Sequence, residues 1–316
     1  MIWSRFTRAE YSPPNYLIRV NGLPMSTTPA RNASHISRRR IENVISGQPT
    51  SDGAGVRLTR YIGSQSLPEL DPFLLLDFFE SDDPNDYIAG FPSHPHRGFE
   101  TVTYLLAGKM RHEDNAGHGG VIEAGGIQWM TAGRGIIHSE MPEQEHGRLA
   151  GFQLWVNLPA KEKLCDPAYH EYPKDQIPVE HRTPGVDVNV ITGTTCEGTA
   201  GPVKGVVTSP LYFDIRLSSG ASIEESIPPD HAGFVFVNEG EISVRSDTGC
   251  DTVAARQLGV LGAGNAVHIE AKSTSARFLL VAAQVLNEPV ARYGPFVMNT
   301  RAEIEQAITD FNAGKF

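Results

Sequence analysis

The chain has 316 residues and a formal charge of 27 − 37 = −10. That length suits about two domains of roughly 100–150 residues, and the acidic balance argues against a protein that grips phosphate backbones electrostatically. With 31 Gly, 22 Pro and only 20% charged residues, short strands joined by many turns are expected rather than long helices.

Cys165, Cys196 and Cys250 are odd in number and share no paired spacing. Neither a disulfide framework nor a cysteine zinc site is indicated, so a reducing compartment, cytoplasmic or nuclear, is expected. The longest apolar runs, 73–76 and 278–283, fall far short of the ~18–20 residues that span a bilayer. A soluble protein that binds neither membrane nor nucleic acid directly is expected.

In chain order, residues 1–41 hold seven arginines against the single acid Glu10, with Pro13, Pro14, Pro24 and Pro29 interrupting any helix. A disordered tail or extra segment over 1–45 is expected, in preference to a targeting peptide. Residues 56–62, 101–106, 121–123, 127–131 and 151–158 then read as strands between Gly, Asp and Asn clusters, within a first domain set at 46–170. Residues 171–205, rich in Pro and Gly, are expected to be a linker holding one or two short strands.

A second domain, 206–316, carries strands at 211–217, 233–238, 241–246, 257–261, 266–270 and 277–284. TVTYLLAGKM around Gly108 and GFVFVNEGEI around Gly240 place strand, turn and strand in the same order, a weak internal repeat implying two similar β-barrels. Thr300 and Glu303 form a capping box, and Ile304, Ala307, Ile308 and Phe311 recur at helical spacing. A C-terminal helix is expected there.

The segment SHPHRGFETVTYLLAG, 93–108, carries the chemistry. On a continuous strand, residues two apart share a face, so His94, His96 and Glu100 are expected to point one way. In GRGIIHSEMP, 133–142, His138 and Glu140 are again two apart. Two adjacent strands, each offering a pair of inward ligands, make a mononuclear metal site. Three histidines and a carboxylate suit Fe(II), Mn(II), Co(II) or Ni(II), and the lack of thiolate argues against structural zinc.

HPHRGFETVTYLLAG, the RHEDNAGHGG loop, IQWMTAGRGIIHSEMP and LNEPVARYGPFVMNT, in that order, resemble the pirin family of bicupin proteins. The likeness runs from about Gly55 to Phe316. It implies an all-β fold of two tandem cupin barrels plus the helix, with metal ligands His94, His96, His138 and Glu140. Iron as Fe(II) is the usual metal, and Mn, Co, Ni, Cu or Zn are alternatives. Cupins at large take a carboxylate from the position of Glu100, whereas the pirin pattern takes it from that of Glu140. Glu140 is therefore expected as ligand, and Glu100 as an outer group that orients a histidine or positions substrate.

Some pirins resemble quercetinases, which implies a dioxygenase that opens a flavonol-like aromatic substrate with O2. In that scheme Glu140, or in second place Glu100, takes the proton of the substrate's enol. Other pirins resemble iron- and redox-sensing transcriptional co-regulators, which implies a transcription-factor partner instead. His112, Asp114 and His118 are expected to stiffen their glycine-rich loop. Matching Gly240 to Gly108 puts Ser226 and Pro228 where His94 and His96 stand, so the second barrel is expected to hold no metal, with His268 and Glu270 as polar strand surface.

Overall fold

The computed structural model describes residues 36–182 and 184–316. Most of the expected tail, and with it the question of a targeting peptide, lies outside the described residues. Its end does not: Ile41–Ser46 forms a strand, β1. Next come β2 (Gln48–Asp52), β3 (Val56–Ile62), β4 (Phe73–Ser81), β5 (Phe91–His96), β6 (Phe99–Ala107), β7 (Lys109–Asp114), β8 (Gly119–Glu123), β9 (Ile127–Thr131), β10 (Ile136–Pro142), β11 (Leu149–Asn157) and β12 (Ala168–Tyr172). They are followed by β13 (Val179–His181), β14 (Val186–Thr192), β15 (Leu211–Ser218), β16 (Ser222–Ser226), β17 (His231–Glu239), β18 (Glu241–Ser246), β19 (Gly249–Ala254), β20 (Gln257–Leu261), β21 (Ala266–Ala271) and β22 (Ser275–Gln284). A short pair, β23 (Ala291–Tyr293) and β24 (Phe296–Met298), leads to the helix α1 (Arg301–Asn312).

Two compact units result. One comprises residues 48–175 with 286–316; the other, among the described residues, comprises 36–47 with 176–285. In the first, a seven-stranded sheet of order β12-β9-β6-β11-β4-β3-β2 accompanies a four-stranded sheet of order β5-β10-β7-β8. Val56, Leu58 and Phe79 from the large sheet meet Met110 and Ile122 from the small one in a shared core, each such side chain contributing about 1.5–3 kcal/mol on burial. β4 is buried at every position from Phe73 to Phe79. A strand covered on both faces reads as a continuous apolar run rather than an alternating one, and so this central strand escapes a search for period two.

In the second unit the sheets are β1-β20-β17-β22-β15-β14-β13 and β16-β21-β18-β19. Strand for strand this is the same order, with β1 at the edge where the first unit has β12. Gly108 links β6 to β7 as Gly240 links β17 to β18, so the weak repeat reflects two barrels of one design. β13 and β14, inside the expected linker, pair with each other, and β14 pairs in turn with β15.

α1 has the expected capping box: Thr300 accepts from Glu303 N, and Glu303 Oε2 accepts from Thr300 N at 2.8 Å. Ile304 and Ala307 are buried against Phe296 and Met298. The helix therefore belongs to the first unit, whereas the expected boundaries gave it to the second. The reason is local: its apolar face is covered by β23, β24 and residue 316. No helix among the described residues is long and apolar enough to cross a membrane.

Candidate metal centre

β5 and β10 run antiparallel, with His94 opposite His138 and His96 opposite Ile136. Period two keeps His96 on the face of His94, so three imidazoles share one patch of the small sheet. Their ligand nitrogens all lie within 4.8 Å of one another. His94 Nε2 is 3.0 Å from His96 Nε2 and 3.1 Å from His138 Nε2. Two nitrogens bound at ~2.1 Å and at right angles would be about 3.0 Å apart, against about 3.4 Å for a tetrahedral angle. The two spacings about His94 are those of donors at right angles on one ion.

The donor set points to the same guest. His94 Nδ1 donates to the Pro92 carbonyl at 2.8 Å, so its Nε2 carries a single lone pair, yet two other imidazole nitrogens crowd that atom. One lone pair cannot serve two donors well, whereas a cation at the centre satisfies all three rings. Burial pushes the pKa of His94 down and those of His96 and His138 well down, and the neighbouring histidines add to the effect for the last two. At neutral pH the rings are uncharged and available as ligands.

Glu140 lies two residues beyond His138 on β10 and is buried. Its Oε1 is 2.7 Å from Thr103 Oγ1, which is also 2.6 Å from Gln153 Oε1. Burial raises the Glu140 carboxyl from 4.5 to about 7. Glu140 stands outside the group of three histidines but lines the same cavity of about 170 Å³, together with His94, His96, Gln153, Trp155 and Arg292. The Arg292 guanidinium lies 4.8 Å over the Trp155 ring and donates to the Leu74 carbonyl at 3.3 Å. Trp155 in turn meets His96 at a steep angle, the ring centroids 5.2 Å apart.

Glu100 is placed differently from the expectation that it shares the histidines' face. A turn at Arg97-Gly98 separates β5 from β6, and Gly98 has φ +86°. The strand does not continue, so counting residues across it gives the wrong side. Directly opposite residues of a ladder share a face, and Glu100 pairs with Thr131 while Thr103, which meets Glu140, pairs with Gln153. Odd and even positions of β6 face opposite ways, so Glu100 faces away from the cavity. Its Oε1 accepts from Thr131 Oγ1 at 2.7 Å, and it does not line the cavity. The geometry lends no support to its expected outer-shell role.

The Glu100 carboxyl is likewise raised by burial, from 4.5 to about 7. A folded-state value above the unfolded one means that the stabilising contribution is full below about 4.5 and is lost as pH rises through about 7. Glu100→Gln is therefore expected to gain stability relative to wild type as pH rises from 5 to 8, by up to roughly 3 kcal/mol. Paired melting curves of the metal-free proteins across that range check it; a constant difference in Tm would show that Glu100 does not titrate there.

Thr103 and Gln153, which hold Glu140, went unnoticed in the sequence. The signal was present: Thr103 within TVTYLL and Gln153 within GFQLWVN are polar residues set among the apolar positions of buried strands. Asp114 does stiffen its loop, accepting from Ala116 N, His118 N and His118 Nδ1. His112 instead sits buried on β7 opposite Glu140, with its Nε2 2.5 Å from Glu171. In the second unit Val267 and Ile269 face the core, and the alternate residues His268 and Glu270 lie only partly buried, Glu270 paired with Arg245.

The family model described as Pirin matches residues 55–156, and that described as Pirin C-terminal cupin domain matches residues 212–316. The chain is 53% identical over 278 residues to a pirin-like protein of Caulobacter vibrioides, covering 88% of this chain and 99% of that one. It is 42% identical over 284 residues to pirin from Homo sapiens, covering 88% and 94%. Among solved structures it is similar to a quercetin 2,3-dioxygenase from Acinetobacter baumannii, with a TM-score of 0.80 and 33% identity over 89% of this chain and 99% of that one.

Proposed function

Since the chain belongs to the pirin family, we propose that it is an iron-dependent dioxygenase of the quercetinase kind, which opens a flavonol ring with O2. The observation that carries this reading is the convergence of three neutral imidazoles, two of which, His94 and His96, line a cavity that also presents Glu140 and the aromatic wall of Phe79, Phe91 and Trp155. His94, His96 and His138 would hold the cation, with Glu140 as the fourth ligand. Fe(II) in that position supplies a Lewis acid that acidifies an enolic hydroxyl and a redox centre for dioxygen chemistry.

A carboxylate has two oxygens, so Glu140 can serve the cation with one and take the hydroxyl proton with the other. Thr103 and Gln153 fix its orientation. The cavity, at about 170 Å³, is near the size that holds a single aromatic ring. A flavonol therefore places one ring inside, against Trp155, and leaves the rest at the mouth. The similarity to a quercetin 2,3-dioxygenase supports the same substrate class. Three free cysteines support a reducing, cytoplasmic setting.

Metal analysis followed by oxygen-electrode assays with quercetin tests the proposal. The iron-loaded protein is expected to consume O2. His94→Ala should abolish uptake, and Glu140→Gln should reduce it by about 10²–10⁴-fold, the usual contribution of a positioned base. Absence of uptake across a panel of flavonols by the iron-loaded protein would overturn the enzyme reading. In that event partner binding that depends on iron oxidation state becomes the expectation, since the co-regulator alternative uses the same four residues.

A further inference from the structure

Arg97, immediately after His96, is nearly fully buried. Its Nε donates to the Arg134 carbonyl at 2.5 Å, and its Nη1 to Asp310 Oδ2 of α1 at 2.9 Å. The guanidinium also lies 4.3 Å over the Phe316 ring. Arg134 belongs to the turn that leads into β10, the strand of His138 and Glu140. One side chain thus joins the turn after the first ligand pair, the turn before the second, and the last helix.

The backbone repeats the connection. Arg97 N donates to the Pro295 carbonyl at 3.3 Å, and Val297 N donates to the Arg97 carbonyl at 3.0 Å. Lys163 Nζ donates to both the Gly98 and Val297 carbonyls, at 2.8 and 3.1 Å. On the β10 side, a Cβ on Gly135 would stand 2.7 Å from the Phe316 ring, so the bare glycine is what lets that ring close down. Asn115 ties the same corner, its Nδ2 donating to the Phe316 carbonyl at 2.8 Å while its Oδ1 accepts from Ile137 N at 3.1 Å.

We propose that the segment formed by β24, α1 and Phe316 is a brace for the metal centre, in which Arg97, locked between Asp310 and the Arg134 carbonyl, is the positioning residue that fixes the adjoining ends of β5 and β10. The inference rests on the metal-centre reading above. None of Arg97, Asp310 and Phe316 lines the cavity, so the brace acts on the ligand nitrogens only through the backbone. Imidazoles 3.0 and 3.1 Å apart must be held to within about 0.5 Å to bind one ion well. Two strand ends free to slide would spend binding energy on their own ordering.

The test uses the full-length metal-free protein and Ni(II) alone, with affinity read by chelator competition. Asp310→Asn is expected to raise the Kd for Ni(II) about tenfold, the lower end of what outer partners of metal ligands contribute. Asp310→Glu is expected to restore most of that loss. Phe316→Ala, which leaves the ion pair in place, is expected to raise Kd about threefold, on the same scale, and gives a second reading should Asp310→Asn fold poorly. Thr300→Ala removes the cap at the end of the helix remote from Asp310, so it should lower Tm while changing Kd far less than Asp310→Asn does. A Kd for Asp310→Asn or Phe316→Ala within experimental error of wild type overturns the brace, as does a Thr300→Ala effect equal to that of Asp310→Asn. A wild-type chain that retains no Ni(II) removes the metal-centre reading and the brace with it.

Discussion

His138→Ala is expected to leave a folded protein that retains a divalent cation more than about 100-fold less tightly, since removing a ligand should cost at least as much as removing one of its outer supports. His138 is buried, its pKa is held well below 6.5, and its Nε2 is 3.1 Å from that of His94. Two imidazoles would remain, and with Glu140 they could offer only three donors. The fold has less at stake, because the neighbouring core of Met130, Ala132 and Ile136 is built without the ring. Metal content after dialysis and a melting curve of the metal-free form measure the two effects separately. Stoichiometric metal in the dialysed variant would show that the three histidines do not act together.

Gly98→Ala is expected to be among the most damaging single substitutions to stability. At φ +86° the residue occupies backbone that side chains avoid, and a Cβ there would stand 2.0 Å from the Val297 carbonyl oxygen. That oxygen belongs to β24 and also accepts from Lys163, so it has little freedom to retreat. Conformational strain of about 1–3 kcal/mol adds to the steric clash, for a total of at least about 3 kcal/mol. In a protein of this size that corresponds to a fall in Tm of roughly 5 °C. Gly117→Ala provides the comparison: its φ is +87° but a Cβ there would meet nothing within 4 Å, so only the strain should register. Equal losses in the two variants would mean that the β24 contact is not tight.

The histidine pairs were legible because their spacing coincides with the strand period, and each pair lies within one unbroken strand. Glu100 was misread for the complementary reason: the count ran through a glycine turn, after which odd and even positions exchange faces. The all-β architecture followed from composition and from the repeated strand-turn-strand pattern. β4 stayed hidden because FLLLDFF, buried on both sides, shows no alternation. The membership of α1 was hidden too, since a capping box and a helical stripe announce a helix without saying which surface will cover it. The supports of Glu140 and the partners of Arg97 are contacts across 37, 50 and 213 positions of sequence, and no local pattern encodes such pairings.

The way the two units divide the chain bears on how the protein is made. The ligand strands β5 and β10 have left the ribosome long before Phe296, Asp310 and Phe316 are synthesised, so during translation the nascent histidines exist without the residues that later fasten them. The second unit, although it uses β1 from upstream, must also be produced in the interval. On the brace reading, tight retention of an ion is expected only once β24 and α1 have been made, so a nascent chain ending before residue 296 would carry all four proposed ligands with the ends of β5 and β10 still unfastened.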